Sequence, residues 1–349
     1  MTAAFTSTNP CGLDGIDFVE LAGPEPDALH RLLVGFGFAR TMHHPRRAID
    51  LYQQHDITML LHRGPGFATR FAAAHGPAIT GMGWRTSDAA AAAAAAVSRG
   101  ARPADGDLAR DGRPVPAVFG IGDSLLYFVD GYRAAERWAA LGFVAHPQPV
   151  VVADKGFLAI DHLTNNVPKG ELATWGRFYQ DVFGFTEVRY FDIRGVQTGL
   201  TSYALRSPCG RFCIPINEGT EAKSQINEYL EEYKGPGVQH LAFLTADILA
   251  SLRALDGSGI ETLDIDADYY ASVFDRVPGV TEDRGELARR NVLVDGDAEG
   301  YLLQIFTKNL IGPIFVEIIQ RKNHLSFGEG NFGALFRSIE RDQAKRGYL

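Results

Sequence analysis

Two histidines and one glutamate stand in apolar, strand-like surroundings: His162 in "AIDHLT", His240 in "GVQHLAFL" and Glu317 in "GPIFVEIIQ". Side chains alternate along a strand, so His162 shares a face with Ile160 and Thr164, His240 with Val238 and Ala242, and Glu317 with Phe315 and Ile319. A single histidine among apolar neighbours is more often a hydrogen-bonded core residue than a ligand. Arg321 and Lys322 offer Glu317 a salt bridge, but they follow its strand rather than face it. An unpaired buried carboxylate costs several kcal/mol, and a cation relieves that cost. Two imidazoles and one carboxylate leave three coordination positions open, the pattern of non-haem Fe(II) oxygenases; structural zinc draws a closed set of ligands.

The elements that must carry these residues recur along the chain. "GPGVQHLAFLTADI" (235–248) has an ungapped echo in "GPAITGMGWRTSDA" (76–89), "AIDHLTNNV" (159–167) resembles "GIDFVELAG" (15–23), and "DVFGFTEV" resembles "VGFGFAR". Such self-similarity decides architecture before any single element does. In each half an apolar strand leads into a helix with apolar residues at helical spacing (Ala28, Leu32, Phe36; Leu172, Trp175, Phe178, Val182), and glycines at 37 and 184 mark its stop. Short strands follow, and a second strand-helix unit opens at Gly76 and Gly235. The prediction is an α+β chain of four βαβββ modules paired into two half-open barrels, plus a C-terminal helix, which resembles the vicinal oxygen chelate fold. A Pro-rich stretch at 145–156 divides it into a metal-free domain, 1–150, and a catalytic domain, 151–349. The poorly patterned stretch 264–297 suits a surface excursion. His162 falls where the first half has Phe18, and His240 where it has Gly81, so the pair of histidines belongs to the second half alone.

Composition bounds the partners. The 349 residues suit two domains, and 46% hydrophobic with 22% charged residues describes a soluble globular chain. A net charge of −8 argues against a nucleic-acid surface or a polybasic membrane anchor, so the expected partner is a small molecule. Three cysteines, Cys11, Cys209 and Cys213, form no disulfide framework, and the N-terminus lacks a signal-peptide pattern; both point to the cytoplasm. A homo-oligomer, dimer or tetramer, is expected.

"DHLTNNV", "YFDIRGVQTGLTS", "IPINE", "GVQHLAFLT", "LLQIFTKNLIGPIFVEIIQRK" and "FGEGNFGALFRSIERDQ" together resemble the 4-hydroxyphenylpyruvate dioxygenase family, bacterial type, over nearly the whole chain. The resemblance implies Fe(II) held by His162, His240 and Glu317, with 4-hydroxyphenylpyruvate and O2 converted to homogentisate and CO2. It implies Ser202, Pro215, Asn217, Gln225 and Gln304 among the groups that orient substrate, with Asn331. Gln239 belongs to that set too, although alternation turns it away from the face of His240. The aromatic wall is implied to be Phe306, Phe315, Phe327 and Phe332. The Gly-hinged stretch after Phe327 is implied to end in a lid helix. Two alternatives share the fold, a 4-hydroxymandelate synthase using the same substrate and a non-catalytic protein that binds a small ligand; a third, an extradiol ring-cleaving enzyme, shares the ligand types, but the flanking stretches resemble it poorly.

Overall fold

The computed structural model describes residues 4–349. As expected, two curled sheets are built from matched modules. In the second sheet the strand order is Thr186–Arg194, Gly199–Arg206, Cys213–Gly219, Phe157–Val167, Gly237–Thr245, Phe315–Lys322, Tyr301–Phe306, Leu293–Gly296. The opening strands of its two modules, Phe157–Val167 and Gly237–Thr245, lie antiparallel at the centre, and each pairs in parallel with the last strand of its own module. The first sheet repeats this core, with Ile16–Ala22 against Ala78–Arg85 at its centre. Its outermost strand, Val144–Val150, pairs with Ala39–His44.

Local chemistry accounts for the repeat. The aspartates shared by the two echoing segments are helix N-caps: Asp88 accepts from the Ala91 N–H and Asp247 from the Ala250 N–H, each at 2.9 Å. Gly37 and Gly184 end the helical stretches before them with φ of +83° and +79°, a conformation that costs glycine little. One continuous apolar core joins the halves. Phe36 packs on Phe157 and Phe243, and Trp84 on Phe183, Phe185 and Phe212.

The stretch 264–297 differs from its expected form. It contains short helices at Ala267–Tyr270, Val273–Arg276 and Arg284–Arg289, buries Val273, Val277 and Leu287, and reaches the sheet strand Leu293–Gly296. Helices of one turn are too brief to display a period, which is why the sequence reads there as unpatterned. The charged strand Thr186–Arg194 is an edge strand on which Glu187, Arg189 and Asp192 are exposed while Phe191 and Ile193 are buried.

The C-terminal helix, Phe332–Lys345, closes the cup of the second sheet. Buried Glu340 on this helix accepts from the backbone N–H groups of Val196, Gln197 and Thr198 and from the Thr198 hydroxyl, at 2.9 to 3.2 Å. On the other side the Ser338 hydroxyl donates to the Asp264 carbonyl at 2.7 Å, and Arg341 pairs with Asp266.

Candidate metal centre

Register explains how three distant residues meet. His162 is paired with Ala242 across the central strands, and Ala242 with Glu317 across the next pair, while His240 lies two residues from Ala242 on the same strand. All four therefore face the concave side. Fully buried Ala242 lies between His162 and Glu317 in this register.

Among the described residues, one cluster of metal-ligating groups has all its donor atoms within 4.8 Å: His162, His240 and Glu317. The Nε2 of His162 lies 3.3 Å from the Nε2 of His240 and 3.1 Å from Oε2 of Glu317, and the third edge, His240 Nε2 to Glu317 Oε2, is 3.4 Å. Bonds of about 2.1 Å at right angles would put neighbouring donors about 3.0 Å apart. The three atoms thus form a triangle that would hold one ion, and all three residues line the cavity.

The second nitrogen of each imidazole fixes the tautomer. Nδ1–H of His162 donates to Oδ1 of Asp161 at 2.7 Å, and Nδ1–H of His240 to Oε1 of Gln239 at 2.9 Å. In the neutral rings both Nε2 atoms are thereby left as acceptors, and the carboxylate beside them is an acceptor as well. The Thr164 hydroxyl, 3.0 Å from Nε2 of His240, brings one proton, too few for three converging lone pairs. A cation satisfies all of them, so the donor set fits a divalent metal. Electrostatics agree. Burial disfavours the charged form of Glu317, yet His162 and His240 outweigh it and hold the carboxyl down at about 2. Burial likewise opposes imidazolium at His162, but Glu317 and Asp161 lift it to about 9, whereas at His240 burial prevails and the pKa is lowered. The metal-free protein thus traps a proton among these groups where a cation would otherwise sit.

Backbone irregularities give the histidines their partners. The ladder slips between Ile160 and His162 and again between Thr164 and Asn165, opposite Gln239. A bulge lets two successive side chains approach one face, so Asp161 and Gln239 each sit beside the histidine that follows. This corrects the expectation that alternation turns Gln239 away: it lines the cavity and touches His240. The sequence does not single out Asp161 and offers Arg321 to Glu317 instead, because a bulge leaves no mark in composition.

The cavity above the triad measures about 90 Å³. Ser202, Pro215, Asn217, Gln225, Gln239 and Gln304 line it, as do Phe306, Phe315, Phe327 and Phe332. Phe191, Ile193, Leu200, Leu335, Phe336 and Ile339 also belong to the apolar wall without having been singled out in the sequence. Phe315 stacks on His240 with ring centroids 4.7 Å apart, and Phe327 meets His162 edge-on at 5.8 Å. Asn217 donates to Gln239 at 3.4 Å, and the buried amide oxygen of Gln304 has no partner. Asn331 is not among the lining residues. Its amide oxygen is held instead by the Tyr269 hydroxyl at 2.6 Å, a contact supplied by the unpatterned insert.

The first sheet has the same row of positions with other residues. Phe18 pairs with Gly83, and Gly83 with Tyr127, where the second sheet has His162, Ala242 and Glu317. A Cβ at Gly83 would lie 2.4 Å from the Phe18 ring, so the glycine makes room for an aromatic plug. Beneath it His62 bonds Glu20 at 2.9 Å and faces Asp107 at 3.5 Å, so that cup is packed rather than hollow.

Ala242→Leu puts a branched side chain into the space over which the three ligands converge. Overpacking of this kind costs about 1–3 kcal/mol. The expected result is a folded protein with no measurable uptake of Co(II) or Zn(II) in a chelator-competition titration, and retained affinity would show that the ion sits elsewhere.

Comparison with known proteins follows the same lines. Residues 7–144 match the family described as hydroxyphenylpyruvate dioxygenase, HPPD, N-terminal, and residues 159–285 match the glyoxalase/bleomycin resistance protein/dioxygenase superfamily. Protein MelA of Shewanella colwelliana is 57% identical over 343 residues, 98% of this chain and 99% of that one. The 4-hydroxyphenylpyruvate dioxygenase of Legionella pneumophila is 42% identical over 349 residues, 98% of each chain. Among solved structures, a triple variant of 4-hydroxymandelate synthase from Streptomyces coelicolor superposes with a TM-score of 0.81 at 25% identity, over 95% of this chain and 99% of that one. A xylose isomerase-like TIM barrel/4-hydroxyphenylpyruvate dioxygenase fusion protein gives 0.79 at 31% identity over 94% of this chain, which spans about half (53%) of that protein.

Proposed function

The chain belongs to the 4-hydroxyphenylpyruvate dioxygenase family, and from that membership we infer that it converts 4-hydroxyphenylpyruvate and O2 to homogentisate and CO2 at a ferrous ion held by His162, His240 and Glu317. The observation that carries this reading is the triangle of three acceptor atoms 3.1 to 3.4 Å apart, on residues that line an aromatic cavity. Iron suits it because two imidazoles and one carboxylate leave three positions free. When bound, ferrous iron supplies the redox chemistry that couples decarboxylation of the 2-oxo acid to activation of O2 and oxidation of the ring.

The remaining work belongs to the protein. Glu317 and the substrate carboxylate together balance the charge of a divalent ion, which lets the loaded site remain dry. Phe306, Phe315, Phe327 and Phe332 enclose the phenyl ring, and Asn217, Gln239 and Gln304 offer dipoles to its polar ends; the unpartnered oxygen of Gln304 suits a phenolic hydroxyl donor. Asp161 and Gln239 keep both Nε2 atoms aimed at the ion.

A cavity of about 90 Å³ is smaller than the engineered cavity of about 150 Å³ that accepts benzene, and a phenol bearing a three-carbon acid needs more room. Substrate admission therefore requires displacement of the helix Phe332–Lys345, whose Phe332, Leu335 and Phe336 form the cavity's roof. Residues 151–349 are assigned the chemistry, and 1–150, with its plugged cup, an architectural part in a homo-oligomer. The free cysteines support a cytoplasmic setting, and no helix among the described residues is long and apolar enough to cross a membrane. Tyrosine catabolism is the pathway this activity serves.

The nearest alternative product is 4-hydroxymandelate, and the cavity wall bears on it. Phe332, 5.3 Å from Phe191 and perpendicular to it, limits where the ring can rest. Phe332→Ile removes that restraint and is expected to divert part of the product to hydroxymandelate with metal affinity changed less than threefold (about 0.6 kcal/mol). Chromatography of the products of wild type and variant is the test: homogentisate from wild type supports the reading, and hydroxymandelate as its main product overturns it.

A further inference from the structure

The two histidines are oriented by chemically different partners. Gln239 is a neutral amide, whereas Asp161 is a carboxylate, 14% exposed at its side chain, whose charge must be answered inside the protein. Arg321 answers it. Its Nε and Nη2 each donate to one oxygen of Asp161 at 2.8 Å, and its Nη1 donates to the backbone carbonyls of Ser326 at 2.6 Å and His324 at 3.2 Å. Those carbonyls belong to the segment that leaves the Glu317 strand and leads into the C-terminal helix. The Arg321 guanidinium also lies over the ring of Phe327, 6.0 Å from its centroid, and that ring in turn abuts His162.

Geometry thus runs without a break from a metal ligand, through one ion pair, to the root of the helix that roofs the cavity. We propose that Asp161 and Arg321 are positioning residues that set the aim of His162 and the seating of the segment 324–331 together, so that the metal site and the closed helix are stabilised by a single device. The proposal rests on the metal reading given above. Its consequence is reciprocal: ion binding at His162 favours the closed segment, and a misplaced segment loosens the ion.

Asn at position 161 keeps the size of the side chain but has one acceptor oxygen. That oxygen cannot serve both the imidazole N–H and the two guanidinium N–H groups, and the new amide N–H2 meets a donor. Lys at position 321 keeps the charge but cannot span both carboxylate oxygens and two carbonyls. Cobalt(II) is the probe. Wild type, Asp161→Asn and Arg321→Lys are titrated with Co(II) against a chelator, visible spectra are taken at saturation, and hydrogen exchange of residues 324–345 is followed in the Co(II)-loaded chain.

Asp161→Asn is expected to bind Co(II) about 10–100-fold more weakly, to show altered visible bands even when saturated, and to exchange faster over 324–331. Arg321→Lys should move all three readings in the same sense, by less. Wild-type affinity and spectrum in Asp161→Asn, or weaker metal binding in the variants with exchange unchanged in both, overturns the coupling. Should Asp161→Asn not fold, Arg321→Lys decides by the same readings. Failure of wild type itself to bind Co(II) would instead refute the metal site, which keeps the two failures apart.

Discussion

Glu317→Ala abolishes metal binding and turnover together while the sheets remain folded. The carboxylate is the only anionic donor of the triangle, and Arg321, the nearest basic residue on its strand, is committed to Asp161. Without Glu317 two neutral imidazoles face a divalent ion with no charge compensation. The loss in affinity should exceed the roughly 10–100-fold that removal of an outer partner costs. The metal-free fold has little to lose, because its central strands are held by ladder pairing, with buried Ala242 and Ile319 on the same face. Addition of Fe(II) at a hundred times Kd should raise wild-type stability by about 2.7 kcal/mol and leave the variant unchanged. Thermal melts with and without the ion check this; a metal-dependent shift in Glu317→Ala would count against the site.

The second large effect concerns the roof. In Glu340→Ala three backbone N–H groups at 196–198 and the Thr198 hydroxyl lose a buried carboxylate acceptor. Hydrogen bonds to a charged group are worth about 1.5–3 kcal/mol each, and these share one acceptor, so a joint loss of about 2–3 kcal/mol is expected. That corresponds to a fall of about 30- to 150-fold in the weight of the closed helix. Product yield should fall, and O2 should be consumed in excess of homogentisate, because water reaches an unshielded site. Metal affinity in the absence of substrate should drop far less than in Glu317→Ala. Parallel measurement of O2 uptake and product tests it; equal stoichiometry in variant and wild type would show that Glu340 does not hold the roof.

Much of this architecture could be read from the chain because the modules repeat. Comparing the two halves singled out His162 and His240 as departures from Phe18 and Gly81, and strand alternation alone put Glu317 on an inward face. The sheet explains the success: module-opening strands meet at the centre, so equivalent positions become neighbours. What escaped was whatever depends on an irregular backbone or on contacts between remote loops. The slips beside Asp161 and Gln239 reverse the side that alternation predicts, and no residue type announces them. Asn331 sits at the foot of the lid helix, yet Tyr269, 62 residues away, draws its side chain out of the cavity wall. Glu340 reads as an ordinary surface acid until the hairpin turn at 195–198 is brought against it.

The most direct test of the central claim is anaerobic loading of the purified protein with Fe(II), then 4-hydroxyphenylpyruvate, then O2, with iron, oxygen and products all counted. The account predicts one iron per chain and one O2 consumed for each homogentisate and CO2 released, with no uptake when the keto acid is left out. Substrate-independent uptake, or none at all from iron-loaded protein, would contradict it.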